Sequence, residues 1–176
     1  QSVFGAPAQV AIVATEMDAL SIQRAGRSAG EWRDYRNQGT FAYTVACIVT
    51  RKGNPKGLES FVLPPQEDVE VVYPDPTTSG GAQWAILAVY GSALMTSEVA
   101  TGRQDDEMAR SLLREVSLRT GSLPESARRA LTQFGLGYGD VLITYENEAL
   151  LENSRGNENH IIIPESTIYV EPKVVV

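Results

Sequence analysis

The sequence has 176 residues, 43% of them hydrophobic, which is enough for one domain with a buried core. Its formal net charge of −7 at pH 7 disfavours nucleic acid and acidic membrane surfaces as partners, because both attract basic proteins. The single cysteine, Cys47, excludes an internal disulfide and a cysteine cluster for a metal.

The first forty residues predict one strand, one helix and a boundary. Residues 8–15 (AQVAIVAT) form a nearly continuous apolar run, typical of a strand covered on both faces, and residues 16–25 have helical spacing. Residues 26–40 are polar and glycine-rich, which indicates a boundary. The start lacks a basic region followed by an apolar core, so a signal peptide is expected to be absent or already removed.

The middle of the chain predicts two strands and a long helix. Residues 41–50 (FAYTVACIVT) are β-branched and aromatic, hence a strand, and residues 51–57 have the composition of a turn. Residues 59–67 stay ambiguous, because two prolines interrupt them. After a strand at 69–73, residues 82–95 have helical spacing. The expected core stripe of this helix contains Trp84, Leu87, Ala88, Gly91 and Met95, although Trp84 could instead stack on a ligand.

The last third alternates helices and strands. Residues 105–120 predict a helix with Met108, Leu112, Leu113 and Val116 inward, and the SLPE sequence at 122–125 matches a capping box for a third helix. Residues 139–145 predict a buried strand, 146–153 a short helix, 160–163 a strand and 167–176 an extended run. The alternation predicts an α/β fold with a mostly parallel sheet flanked by helices.

A candidate anion loop, residues 77–84 (TTSGGAQW), lies between a predicted strand and a predicted helix. Helix N-terminal amides lack intrahelical partners and carry partial positive charge, so this junction can direct donors at an oxyanion. Ser79 adds a hydroxyl, and Gly80 and Gly81 let a ligand oxygen approach the backbone. The alternative is a plain loop in which Ser79 is only the N-cap.

Two further junctions compete with this loop. In α/β sheets ligands bind where loops leave the carboxyl ends of strands, so residues 126–128 and 145–148 are also candidates. We interpret the nearby Asp75 and Glu146 as turn and cap residues, because a carboxylate repels an anion over a few ångströms.

Catalysis is poorly supported by the sequence. A hydrolytic site would need a base near Ser79, whereas the only histidine, His160, precedes an apolar strand. Glu146 and Glu148 are two residues apart and do not share a helix face, which argues against a carboxylate dyad. No motif matches a metal site or a nucleotide loop, so neither an enzyme nor a cofactor is expected.

Five segments together carry a family resemblance. These are RKGNPKG (51–57), PDPTTSGGAQW (74–84) and GDVLITYENEALL (139–151), flanked by ATEMDAL (14–20) and YVEPKVVV (169–176). In this order they resemble the sulfate- and thiosulfate-binding proteins of bacterial ABC importers. The resemblance implies a type II periplasmic-binding-protein-like fold with three-layer lobes, and a periplasmic location. It also implies that uncharged amide and hydroxyl donors hold the anion between two hinged lobes.

The resemblance assigns anion contacts to Ser79, Gly80 and Gly81, and to the amide of Ala127 at a helix start. Tyr145 stands where the family usually has a tryptophan; its hydroxyl can also donate, with a different reach and angle. Thr78 and Arg128 are expected behind the contact residues, and Arg128 is either a partial neutraliser of the anion or a surface arginine.

The resemblance also divides the chain. Residues 1–40 are expected to be a remnant of the first lobe, 41–166 the anion-binding second lobe and 167–176 a return crossing strand. The first-lobe serine loop has no counterpart, so weak affinity for sulfate or a related oxyanion is expected, with importer membrane subunits as further partners. The alternative is a structural or interaction domain that has lost transport and pairs with itself or with another chain.

Overall fold

The computed structural model describes residues 8–64 and 68–176. The chain divides into two compact units, Gln1–Thr44 with Tyr169–Val176 and Val45–Ile168. Three of the predicted ranges extend outside the described residues: the first-lobe remnant includes residues 1–7, and both the ambiguous segment 59–67 and the second lobe 41–166 include residues 65–67. The assignment of residues 1–40, 41–166 and 167–176 to lobes stays a prediction.

The first unit contains a small two-stranded sheet and one α-helix. Its elements are β1 (Ala11–Val13), α1 (Glu16–Arg24), two 3₁₀ turns (Trp32–Asp34 and Arg36–Gly39), β7 (Tyr169–Val170) and β8 (Lys173–Val175). β1 pairs antiparallel with β8. The helix begins with a capping box in which Thr15 and Asp18 satisfy each other's backbone amides. Ala19 and Ile22 of α1 then pack with Trp32 and Val175 to form the core of this unit.

The second unit is built on a mixed sheet. Its strands are β2 (Thr44–Thr50), β3 (Val71–Val72), β4 (Thr120–Ser122), β5 (Val141–Tyr145) and β6 (His160–Ile162), in the order β4-β3-β5-β2-β6. β3 runs parallel to β4 and β5, whereas β2 runs antiparallel to β5 and β6. The α/β class is therefore confirmed, but the sheet is mixed rather than mostly parallel. Hydrophobic periodicity identifies a strand without revealing the direction of its neighbour.

Helices cover both faces of this sheet. They are α2 (Gly80–Thr101), α3 (Asp106–Leu118), α4 (Ala127–Gly135) and α5 (Glu146–Ser154). One face of the sheet packs against α2 and α3, and the other packs against α4 and α5. Along β5, Val141 and Ile143 face the first pair of helices and Leu142 the second, because successive strand side chains point to opposite faces. The unit has the predicted three layers.

The predicted core stripe of α2 is confirmed only at Ala88, which is fully buried, and is wrong at Leu87 and Met95. Leu87 and Met95 are 51% and 48% exposed and Trp84 is half-buried. The buried face consists mainly of small residues, namely Ala82, Ala85, Ala88, Val89, Ser92, Ala93 and Ser97. Because α2 is apolar around most of its circumference, its pattern does not single out one face, and small side chains let its backbone approach the sheet. In α3, Met108 is also exposed, and Ala109 is buried beside Leu112 and Val116.

The predicted capping box at residues 122–125 is also wrong. Ser122 ends β4, where it pairs with Val72, and its hydroxyl donates to Gln133 Oε1 over 2.9 Å. The cap of α4 is Ser126, whose hydroxyl accepts from the amide of Arg129 at 3.3 Å. Pairing with β3 extends the strand through Ser122, so a tertiary contact overrides the local capping pattern. In the described residues, no helix combines the length and apolarity that crossing a membrane would require.

Candidate anion-binding site at the carboxyl edge of the sheet

Three helices begin at the same edge of the second unit. β3, β4 and β5 run parallel, with Val72 paired to Ser122 on one side and Leu142 on the other, so their carboxyl ends share one edge. The chain leaves these strands to enter α2, α4 and α5 respectively. The N-terminal partial charges of three helices are thus available at this edge, where open α/β sheets bind ligands.

Gly81 lies where these junctions meet. A Cβ atom built on Gly81 would lie 3.2 Å from the Cβ of Ala127, 3.2 Å from the hydroxyl oxygen of Tyr145 and 3.3 Å from Oγ of Ser79. The structure therefore brings together the residues that the sequence placed at three separate junctions. A side chain at position 81 would occupy the space among them and crowd all three atoms, whereas glycine leaves that space open.

The first amides of α2 and α4 are available for a ligand. Within residues 8–64 and 68–176, the amides of Gly80 and Gly81 have no protein acceptor, and neither do those of Ala127 and Arg128. This is the normal state of the first residues of a helix, whose acceptors would precede the helix. The amide of Ser79, in contrast, donates to the carbonyl of Asp75 over 2.9 Å, so the backbone donors at this junction begin at Gly80.

Ser79 occupies the N-cap position of α2 without acting as a side-chain cap. Its backbone is extended, and its hydroxyl accepts no hydrogen bond from the first turn of the helix. The residue is 8% exposed, and Oγ points toward the space beside Gly81. The plain N-cap alternative predicts a bond from this hydroxyl to the helix. Its absence leaves the hydroxyl free to donate to a bound molecule.

Two hydrogen bonds fix the candidate anion loop and the turn that precedes it to the loop before α4. The amide of Asp75 donates to the carbonyl of Pro124 over 2.7 Å, and the hydroxyl of Thr78 donates to the carbonyl of Glu125 over 2.9 Å. Thr78 thus joins the two loops. The carboxylate of Asp75 accepts from the hydroxyl and the amide of Thr77, and these bonds lower the pKa of Asp75. Asp75 is therefore the turn residue that we predicted.

Arg128 forms an ion pair with Glu148. The Nη2 atom of Arg128 lies 3.2 Å from Oε1 and 3.0 Å from Oε2 of Glu148, whose side chain is 18% exposed. The first turns of α4 and α5 are thereby joined. The sequence placed both residues at competing junctions and gave no sign of their pairing, because nothing local indicates that the two helix starts are neighbours. The positive charge of Arg128 is largely balanced by this carboxylate.

Tyr145 retains its phenolic proton at neutral pH. Burial, and then the negative charge of Glu148, raise the pKa of Tyr145 to about 12. The hydroxyl lies near Gly81 and can donate a hydrogen bond to a ligand oxygen. Tyr145 also ends β5 and is the N-cap residue of α5, so strand pairing with Ala46 fixes its backbone.

His160 lies at the opposite edge of the sheet. It is exposed and pairs with Thr50, the last residue of β2, whereas Tyr145 pairs with Ala46 near the start of β2. Four residues of extended strand correspond to about 13 Å. His160 is therefore far from the candidate site. Among the described residues, no group of three or more histidine, cysteine or acidic side chains is arranged to hold a metal ion.

The three-layer architecture and the converging helix starts define an α/β fold with a candidate ligand site at the carboxyl edge of its sheet. The chain belongs to the bacterial extracellular solute-binding protein family, whose model matches residues 2–176.

The similarity extends over nearly the whole chain. The chain is 35% identical over 177 residues to the sulfate-binding protein of Escherichia coli, covering 98% of this chain and 52% of that protein. It is 31% identical over 173 residues to the sulfate-binding protein of Synechococcus elongatus, covering 98% and 48%. Among solved structures, the sulfate-binding protein SubI of Mycobacterium tuberculosis matches with a TM-score of 0.86 at 29% identity, covering 99% of this chain and 59% of that one.

The chain thus spans about half the length of the curated relatives that it matches. The resemblance to sulfate- and thiosulfate-binding proteins is confirmed, since a further relative is the thiosulfate-binding protein of Pseudomonas aeruginosa.

Proposed function

We propose that this chain binds a small tetrahedral oxyanion, sulfate or thiosulfate, at the edge where α2, α4 and α5 begin. The observation that carries the proposal is the convergence of Ser79, Ala127 and Tyr145 on Gly81. The relatives named as sulfate- and thiosulfate-binding proteins support the choice of ligand. Gly80 and Gly81 supply amide donors, Ser79 and Tyr145 supply hydroxyl donors, and Ala127 supplies an amide from the second helix.

The chemistry of these donors suits a fully deprotonated anion. Sulfate is a dianion at pH 7 and can only accept hydrogen bonds, so amides and hydroxyls match all of its oxygens. Hydrogen phosphate carries a proton that needs an acceptor as well. With a net charge of −7, the chain does not attract an anion over long range, so binding depends on local dipoles at the helix starts.

The role that follows is binding without catalysis. We propose that the chain is the solute-binding component, or a piece of it, of an ABC-type importer, and that it works outside the cytoplasmic membrane, in the periplasm where the organism has one. The family description supports an extracytoplasmic location. The membrane subunits of the importer would be its protein partners.

A titration followed at single amides tests the site directly. Sulfate, thiosulfate, molybdate and phosphate are added to ¹⁵N-labelled chain up to millimolar concentration, with calorimetry in parallel. We expect sulfate or thiosulfate to shift the amide signals of Gly80, Gly81 and Ala127 more than those at the opposite edge of the sheet. No heat and no shift with any of the four anions would contradict anion binding.

Substitution of Gly81 provides a sharper test. Gly81→Ala puts a methyl group about 3.2 Å from both Ala127 Cβ and the Tyr145 hydroxyl, in the space proposed for the anion. We expect sulfate affinity to fall at least about tenfold, a loss of about 1.4 kcal/mol. The matched control is Gly91→Ala in the same helix, where the new methyl meets only Ile168 Cγ2 at 3.8 Å. Equal affinities of the two variants for sulfate would count against the proposed position of the anion.

A further inference from the structure

Glu148 is a partly buried carboxylate whose hydrogen-bonding capacity is incompletely used. Its Oε2 atom is buried and accepts no hydrogen bond with acceptable geometry, although Nη2 of Arg128 lies 3.0 Å away. Partial burial of a carboxylate carries a desolvation cost that an ion pair offsets only in part, so the position is not explained by stability alone. The carboxylate lies one helical turn after Tyr145, and its charge acts on the phenol of that residue.

The ion pair adjoins two of the proposed anion contacts. Arg128 directly follows Ala127 in the first turn of α4, and Glu148 lies in the first turn of α5, which Tyr145 precedes. The hydroxyl of Tyr145 and the Cβ of Ala127 both lie about 3.2 Å from the same point beside Gly81. The charge of Glu148 acts on the phenol of Tyr145, and Arg128, whose side chain is 51% exposed, contacts Glu148, so both formal charges lie beside the proposed anion contacts, with Arg128 partly open to water.

We propose that Glu148 determines the charge selectivity of this site. Its negative charge offsets the positive charge of Arg128 and thereby lowers the preference for divalent over monovalent tetrahedral anions. This inference rests on the proposed function. With Glu148 ionised, the pair contributes no net formal charge, and helix amides and hydroxyls supply the attraction. Without the carboxylate, Arg128 contributes an uncompensated positive charge beside the anion.

Coulomb's law makes this effect distinguishable from a structural one. The interaction energy is proportional to the charge of the ligand, so removal of one fixed charge changes the logarithm of affinity for a dianion twice as much as for a monoanion. Sulfate and perchlorate are both tetrahedral anions with four oxygens, and they differ in charge. A change in the position of Ala127 or Tyr145 would alter the fit of both anions in the same direction without this ratio.

The test compares sulfate and perchlorate binding by wild-type chain and Glu148→Gln. We expect the affinity of the variant to rise about tenfold for sulfate and about threefold for perchlorate, in line with the charge ratio. The control is Glu158→Gln, which removes one negative charge and one ion pair, with Lys52, on the segment leading into β6, at the edge opposite Tyr145. For this control we expect both affinities to stay within about twofold of wild type.

Circular dichroism shows whether Glu148→Gln folds. If it does not, substitution of the ion-pair partner, Arg128, keeps the inference testable. Arg128→Gln should weaken both anions, and the fold-loss in sulfate affinity should be about the square of the fold-loss in perchlorate affinity. The double variant, Arg128→Gln with Glu148→Gln, should return both affinities toward wild type. Equal factors for the two anions, or weaker sulfate binding by folded Glu148→Gln, would overturn the role of Glu148 while leaving the proposed function intact. Failure of wild-type chain to bind either anion would overturn both.

Discussion

Tyr145 illustrates how its surroundings determine the chemistry of one side chain at this site. A strand end and a helix start fix its backbone, and burial together with Glu148 raises the pKa of its phenol to about 12. A neutral hydroxyl is the state that can donate to an anion, whereas a phenolate would repel it. Because burial favours the protonated phenol in the folded state, deprotonation of Tyr145 destabilises the second unit.

The pKa of Tyr145 predicts a loss of stability at high pH. The phenol of Tyr145 releases its proton near its ordinary pKa of about 10 in the unfolded chain and near about 12 in the folded chain. Its contribution to the free energy of unfolding is therefore complete below pH 10 and is lost as the pH rises to 12. We expect wild-type chain to lose roughly 2 kcal/mol more than Tyr145→Phe across this window.

Urea unfolding of both proteins between pH 9 and pH 12 measures this difference. Cys47, whose pKa burial and Glu146 raise to about 12, is present in both proteins, so its contribution cancels. Tyr138→Phe, at an exposed tyrosine, is the matched control and should follow wild type. Parallel pH curves for wild-type chain and Tyr145→Phe would show that the phenol is not protected by the fold.

Arg51 connects the end of β2 to the segment after α4. Its guanidinium donates to the carbonyls of Phe134 at 2.7 Å and Tyr138 at 2.9 Å, and also to that of Gly139. It lies over the ring of Phe134, 3.8 Å from the centroid, and burial lowers its pKa. One side chain thus satisfies carbonyls at the end of α4 and fixes the entry into β5, which leads to Tyr145.

We predict that replacing Arg51 with lysine destabilises the folded chain. Arg51→Lys keeps the positive charge but loses the planar arrangement of donors, so carbonyls of the 134–139 segment lose partners. We expect the free energy of unfolding to fall by about 1–3 kcal/mol. Lys52→Gln is the control, since its ion pair with Glu158 is exposed, and it should change stability by less than about 0.5 kcal/mol. Chemical denaturation measures both variants, and similar midpoints would contradict the role given to Arg51.

At the scale of the whole molecule, the exposed apolar side chains bear on the alternative of an interaction domain. In the first unit, Ile12, Phe41, Tyr43 and Tyr169 are exposed. Such side chains could contact a partner or a second copy of the chain, whereas the net charge of −7 opposes self-association. Solute binding requires no second copy.

We therefore expect one 176-residue chain per particle in solution. Sedimentation velocity at about 50 μM, with and without added sulfate, measures this, and a high-salt run tests whether charge repulsion maintains the monomer. Concentration-dependent dimers that persist with sulfate would favour the interaction-domain alternative over the binding role.

The sequence alone determined the elements and the residues at their junctions. α1, α3 and α5 lie close to their predicted ranges, since caps and apolar spacing act within a few residues. Ser79, Gly80 and Gly81 were identified at a helix start because glycine and serine at such a position have a local chemical meaning. The junctions at 126–128 and 145–148 were also candidates, but the choice of Ala127 and Tyr145 as the contact residues within them depended on the family resemblance.

Only the tertiary structure decided what these junctions do together. The antiparallel direction of β2, the buried face of α2, the convergence on Gly81 and the pairing of Arg128 with Glu148 all depend on residues far apart in the chain. Local patterns of residues predict the secondary structure of each segment, whereas strand order and packing depend on how many segments bury their apolar side chains together. The candidate site is a property of that packing, because no single junction supplies all of its donors.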